Sequence, residues 1–274
     1  MTYGTGLERR WELVLIVTYK QSILRIGHAC FLSDDDIAKE DYRKKKCDIV
    51  YLYGINDTPR DGTYLRTQHT LIKDLKPTED DIYNSFGKSL RKHIRRSIRD
   101  DNINIRIYSP KDLKKNNNVI DICKMLFEKM YASKGKKTAF NERMATALIG
   151  CEFLHVSVAY YNNDPIGFCA ILVQGTNARR WISAFDFRNN PDMSQKYSDA
   201  HKRLDWEVMR YCKRIGVTQI DLGGINSSSE PNGIARFKLE FEKNNVISYK
   251  NYIVPTSFKG RTALMYWRLR KLFI

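Results

Sequence analysis

The chain has 274 residues, enough for one large domain or two small ones, and 42% of them are hydrophobic, enough to bury a substantial core. Its 47 Lys and Arg against 31 Asp and Glu leave a net charge of +16, which suits polyanions: nucleic acid, anionic lipid or pyrophosphate-bearing small molecules. The six cysteines (Cys30, Cys47, Cys123, Cys151, Cys169, Cys212) show no CxxC or CxxH spacing, so no metal site is expected, and the longest apolar runs, such as Leu13 to Val17, fall far short of the ~20 residues of a spanning helix.

In chain order, residues 11 to 75 read as strands: Glu12 to Tyr19, Ile23 to Phe31, Asp48 to Tyr53 and Tyr64 to Ile72, with Asp61-Gly62 as a turn. A helical pattern begins near Thr78, with Glu79 and Asp80 suited to a first turn, and runs to Arg99. Ile82, Phe86, Leu90, Ile94 and Ile98 recur every four residues along one face. Ile103 to Tyr108 is a short strand, and Val119 to Ala132 a second helix stopped by Gly135. Phe153 to Tyr160, Ile166 to Val173 and Arg179 to Phe187 then form an antiparallel meander with short turns. A helix follows with His201, Leu204, Val208, Tyr211, Cys212 and Ile215 on one face and Gly216 past its end. Val217 to Leu222 is the next strand. The tail, 257–274, mixes Arg261, Arg268, Arg270 and Lys271 with Leu264, Met265, Trp267, Leu269 and Phe273, and reads as a basic amphipathic helix.

The run Gln219-Ile220-Asp221-Leu222-Gly223-Gly224-Ile225-Asn226, followed by a Ser-rich loop and Gly233-Ile234-Ala235-Arg236-Phe237-Lys238, is the candidate substrate corner. The strand is expected to end at the Gly-Gly pair, where backbone amides approach a ligand closely. A lysine returning beside that spot can stabilise developing negative charge. The basic run Arg91, Lys92, Arg95, Arg96, Arg99 rings the remaining faces of its helix and suits phosphate.

The Arg91 to Arg99 helix, the strand–turn–strand His155 to Val173 and the Asp221-Leu222-Gly223-Gly224-Ile225 corner with Gly233-Ile234 and Phe237-Lys238 resemble the GNAT-like FemABX and related acyltransferases, over about residues 70 to 255. Those enzymes put amino acids on peptidoglycan precursors or acyl groups on amines. The resemblance implies an α+β fold, a GNAT-like mixed twisted sheet with flanking helices, preceded by an abbreviated second GNAT-like lobe. It divides the chain into residues 1–75 (a strand-rich, incomplete lobe), 76–256 (the acyltransferase domain) and 257–274 (the tail). The implied activity is amide formation on an amino group of a phosphate-linked glycan or cell-envelope precursor, in peptidoglycan or polysaccharide synthesis. Lys238 then lies near the acyl carbonyl, with Asp186 and Asp221 as further catalytic candidates. Arg91, Lys92, Arg95, Gly223, Gly224, Asn226 and Phe237 are the candidates for substrate binding.

No permanently bound cofactor is implied; the acyl donor is an acyl-CoA, an acyl carrier or an aminoacyl-tRNA. The stretch Arg188 to Ser198, where ordinary GNAT enzymes place a Gly-rich pyrophosphate loop, has no glycine. The partners implied are a nucleotide- or lipid-linked precursor, tRNA, and an anionic membrane met peripherally. The polar start, Met1 to Arg10, suggests no signal peptide, and the expected location is cytoplasmic, at the inner membrane face. Two alternatives stand beside this reading: an acetyl-CoA-dependent N-acetyltransferase, and a non-catalytic RNA- or membrane-binding protein. Against the RNA alternative, no aromatic set on adjacent strands is legible. His155 and His201 read as core, Trp181 and Trp206 as packing.

Overall fold

The computed structural model describes residues 16–31, 43, 46–55, 58–116, 118–227 and 229–272. In chain order it contains β1 (Ile16–Gln21), β2 (Leu24–Ala29), β3 (Ile49–Ile55), β4 (Thr63–Asp74), α1 (Glu79–Ser85), α2 (Lys88–Ile98), β5 (Ile103–Tyr108), α3 (Pro110–Lys115), α4 (Asn118–Ala132), α5 (Glu142–Gly150), β6 (Leu154–Tyr161), β7 (Asp164–Gln174) and β8 (Asn177–Phe185). After a 3₁₀ turn at Pro191–Met193 come α6 (Ser194–Arg214), β9 (Gln219–Ile225), α7 (Gly233–Leu239), β10 (Val246–Pro255) and α8 (Phe258–Leu272). The expected strand residues 11–15 and the tail residue Phe273 lie outside the described residues. No helix among the described residues is long and apolar enough to cross a membrane.

The chain forms two compact units, Met1–Thr67 with Tyr249–Ile274, and Gln68–Ser248. The first pairs β1 antiparallel with β2, β2 parallel with β3, and β3 antiparallel with β10. Val50, Leu52 and Ile55 pack with Tyr252 and Val254, while Leu264 of α8 closes over Ile26, Ile49 and Ile253. Gly260 lets α8 approach the backbone carbonyl of Asp48 where a Cβ would collide with it. The strand register also gathers an aromatic row that the linear sequence does not display. The rings of Tyr19, Tyr51 and Tyr53 lie nearly parallel to His28, with centroids 5.5, 5.0 and 5.7 Å from it. Burial pushes His28 down to about 4, so its imidazole is neutral at pH 7.

The second unit is a mixed sheet in the order β4-β9-β8-β7-β6-β5. The β6–β8 meander is antiparallel as expected, β5 adds to it antiparallel on β6, and β8 pairs parallel with β9. A parallel pair needs a long crossover, and α6 supplies it. α2 packs on α6, burying Leu90 and Ile94 with Leu204, Val208 and Cys212 over the sheet. β7 is buried residue after residue from Ile166 to Leu172, which is why it reads as an apolar run rather than an alternation.

The expected single helix from Thr78 to Arg99 is two helices. Thr78 caps the first by accepting from the amide of Asp81 at 3.1 Å; Phe86 is extended, and Gly87 begins α2. The four-residue apolar pattern crosses the break because both helices bury residues in one core. Its last member fails: Ile98 is 49% exposed and Ser97 is buried instead. Two four-residue steps overshoot a 3.6-residue turn, so the position seven beyond Leu90 takes the inner face. Two short helices lie outside the sequence expectation. α3 opens on a capping box between Ser109 and Asp112, and α5 on Asn141.

Candidate active site

The Gly-Gly corner differs from the sequence expectation in one respect: β9 does not end there but runs on to Ile225. Against β4, Thr70 faces Gly224 and Ile72 faces Asp221, so one residue of β4 opposes two of β9. This is a β-bulge, and Gly223 takes φ +84°, open to glycine at no steric cost. On the other edge, β9 and β8 pair only as far as Arg179 opposite Asp221, although both strands continue. Beyond that point the two strands leave a gap in the ladder.

Lys238 reaches this bulge from α7. The loop before α7 is clasped by Asn226, whose Nδ2 donates to the carbonyl of Glu230 at 3.0 Å and whose Oδ1 accepts from the amide of Asn232 at 3.1 Å. Asn232 in turn caps α7, accepting from the amide of Ala235 at 2.9 Å. With the helix start held, Ala235 and Lys238 face inward. The Lys238 Nζ donates to the carbonyl oxygen of Gly224 at 2.8 Å and would lie 3.1 Å from a Cβ on Gly223. Any side chain at position 223 would crowd the ammonium.

Lys238 is 7% exposed. Burial, reinforced by the nearby Arg180 guanidinium and only partly opposed by Asp221 and Asp205, brings its pKa down to about 7. Asp221 accepts from the Thr70 hydroxyl and, at 2.7 Å, from the Gly223 amide; Arg179 lies 3.4 Å from its other oxygen. Asp221 therefore holds the bulge in shape. Arg180 pairs with Asp205 of α6 at 2.5 Å, both nearly fully buried. Beside them the His201 ring is stacked between Phe185 and Phe237, at 4.0 and 4.1 Å, and its Nε2 is buried with no hydrogen-bond partner among the described residues. Burial takes His201 down to about 4. Cys169, near Arg180, is pushed up to about 12 by burial and is a thiol at neutral pH.

Of the sequence candidates, Lys238, Asp221, Gly223 and Gly224 thus meet in one network, and Phe237 adjoins it through His201. Asn226 acts on the loop rather than on the bulge. Asp186 belongs to another cluster: Lys129 lies 2.5 Å from it, Asn190 donates to it at 3.0 Å and Asn189 also donates. Arg91 donates to the carbonyl of Asn84 at 2.9 Å, while Lys92 and Arg95 stand exposed on α2. Arg96 instead turns to Asp199 of α6, which also takes His93 at 2.6 Å. Arg179, Arg180, Asp205 and Thr70 lie outside the sequence candidates. The signal available was the Arg179-Arg180 pair inside an apolar meander, since buried arginines require acidic partners. His155, read as core, is buried and meets the Tyr211 hydroxyl at 2.8 Å.

A mixed sheet with an antiparallel meander, a crossover helix and a gap between two parallel strands is an acyltransferase scaffold of the GNAT type. The chain belongs to the acetyltransferase (GNAT) domain family, whose model matches residues 85–239, more than half its length. Solved structures with a similar fold include FemX, at 11% identity and a TM-score of 0.53 over 88% of this chain and 83% of that one. The C-terminal domain of a putative lysylphosphatidylglycerol synthetase from Agrobacterium fabrum is 15% identical, with a TM-score of 0.50 over 91% of this chain and 83% of that one. L-PGS from Bacillus licheniformis is 13% identical, with a TM-score of 0.50 over 93% of this chain and 85% of that one. No curated protein matches the sequence significantly. The GNAT-like α+β fold expected from the sequence is the fold of this chain.

Proposed function

We propose that this acyltransferase forms an amide by moving an acyl or aminoacyl group from an ester or thioester donor to a primary amine on a phosphate-linked glycan or cell-envelope precursor. The observation that carries the reading is the Lys238 Nζ, buried in the bulge of β9 and donating to Gly224 O at 2.8 Å. The acceptor amine attacks the donor carbonyl, a tetrahedral oxyanion forms, and its collapse expels the donor alcohol or thiol as the amine loses its proton. Lys238 is the group that stabilises the oxyanion, in a buried site where such a donor is strongest. The Gly223-Gly224 backbone lines the acceptor. Asp221 keeps the bulge in register, and Asp186 is retained as the second carboxylate to test. Arg91, Lys92 and Arg95 attract the acceptor's phosphate. The fold shared with a putative lysylphosphatidylglycerol synthetase domain supports an aminoacyl donor and an envelope acceptor.

The test is product analysis. Purified protein is incubated with an aminoacyl-tRNA, an acyl carrier or an acyl-CoA and with a nucleotide-linked amino sugar, and the mass gain on the amine is measured. Amide product that appears with wild type and is lost with Lys238→Met supports the reading; equal product from both refutes it.

The family itself favours a second reading, N-acetyl transfer from acetyl-CoA. In that case acetyl-CoA alone supports turnover. The segment before α6 then holds a pyrophosphate on a 3₁₀ turn, Pro191–Met193, without glycine.

A further inference from the structure

On the side of α7 turned away from Lys238, the second unit holds a cavity of about 440 Å³ lined by Gly87, Ser89, Leu90, Lys202, Arg236, Leu239, Glu240 and Lys243. Small-molecule pockets span this size. Three cations face one carboxylate. Lys202 is 7% exposed, and its ammonium lies 2.9 Å from Glu240. That pair is locally neutral, so Arg236 and Lys243 leave a surplus of two positive charges at the rim. Leu90 and Leu239 supply apolar wall between the charges. The opening turn of α2 also borders the cavity; it carries no acidic residue and no side-chain cap.

We propose that this cavity binds the phosphate dianion of a small phosphorylated molecule. A surplus of two charges matches a dianion better than a monoanionic carboxylate. The arginine fork binds phosphate in two-point contacts, and a lysine adds a point charge. Part of the molecule's apolar body rests on Leu90 and Leu239. The residues that bind it are distinct from Arg91, Lys92 and Arg95, so the site is separate from the basic face of α2.

Phenyl phosphate and benzoate are the probes, titrated by calorimetry at fixed ionic strength with the full chain. They share a ring and differ in the charged group. Phenyl phosphate is expected to bind, and benzoate to bind at least about tenfold more weakly. The exposed pair Arg236→Gln with Lys243→Gln is expected to weaken phenyl phosphate roughly tenfold or more, the loss of one charge-assisted contact. Lys111→Gln with Lys115→Gln, both exposed on α3, removes the same net charge elsewhere and is expected to leave binding unchanged. Equal affinity for the two probes, or equal weakening in the two double variants, overturns the proposal. Because no turnover is read, failure here leaves the acyl-transfer reading standing, and the converse holds as well.

Discussion

The Lys238 ammonium donates to the carbonyl oxygen of Gly224 across 2.8 Å, from a residue only 7% exposed, at the one position of β9 where a positive-φ glycine leaves room for it. Because Gly223 lacks a Cβ, the lysine reaches the strand backbone; because the surroundings are dry and Arg180 is near, it holds its proton weakly.

Lys238→Met is expected to lower kcat about 100- to 1,000-fold with little change in KM, the cost of losing one oxyanion donor. On the proposed mechanism the ammonium is the acting form, and with its pKa brought down to about 7, kcat in wild type is expected to fall as pH rises through 7. Steady-state kinetics from pH 5.5 to 9 check both. A KM effect alone makes Lys238 a binding residue; full activity moves the catalytic assignment to Asp186 and Asp221.

The same residue makes a stability prediction. Its folded pKa lies below the unfolded value, so between about 7 and the unfolded value the unfolded chain binds the extra proton, and stability from this group rises with pH. Below pH 7 the penalty of burying the charge is constant and full. Lys238→Met is therefore expected to melt higher than wild type at pH 6, with the gap closing toward pH 10. A gap that widens with pH contradicts the burial argument.

Lys92→Gln with Arg95→Gln is expected to raise KM for a phosphate-bearing acceptor at low salt and leave melting unchanged, since both side chains are exposed on α2. An unchanged KM makes this face merely solvated.

Gly167 faces the Phe185 ring so closely that a Cβ would fall on it, and Phe185 is one slice of the stack around His201. Gly167→Ala is expected to cost about 1–3 kcal/mol, read by urea denaturation. Gly150→Ala, with open space around the added methyl, is the control and is expected to be neutral.

Helix α8 carries no acidic residue from Phe258 to Leu272, and exposes Phe258 (81%), Met265 (63%) and Tyr266 (57%) beside Lys259 and Arg261. It is expected to bind vesicles containing anionic phosphatidylglycerol and not pure phosphatidylcholine, and Phe258→Ser with Met265→Ser is expected to weaken sedimentation. Equal sedimentation of the double variant and wild type removes the membrane contact.

Much of the architecture was legible because it rests on local rules. The β6–β8 meander, the long helix ending before Gly216 and the strand at Ile103–Tyr108 follow from period, turn residues and caps within each segment. Lys238, Asp221 and the glycines were legible as a corner because they lie close along the chain. The sequence could not show the rest, because the deciding contacts join distant residues. Burial of Lys238 follows from α7 folding back on β9. The bulge needs the register of β4, with Thr70 reaching Asp221 across 151 positions. Arg180 and Asp205 are chemically ordinary until β8 and α6 bury them together. Asp186 and Arg91 look available in the sequence because only tertiary structure brings Lys129 to the one, and only the bend at Phe86–Gly87 brings Asn84 to the other. The residue types of the candidate site are written in the chain; their protonation and reach are properties of the packed interior, where desolvation and neighbouring charge outweigh intrinsic preference.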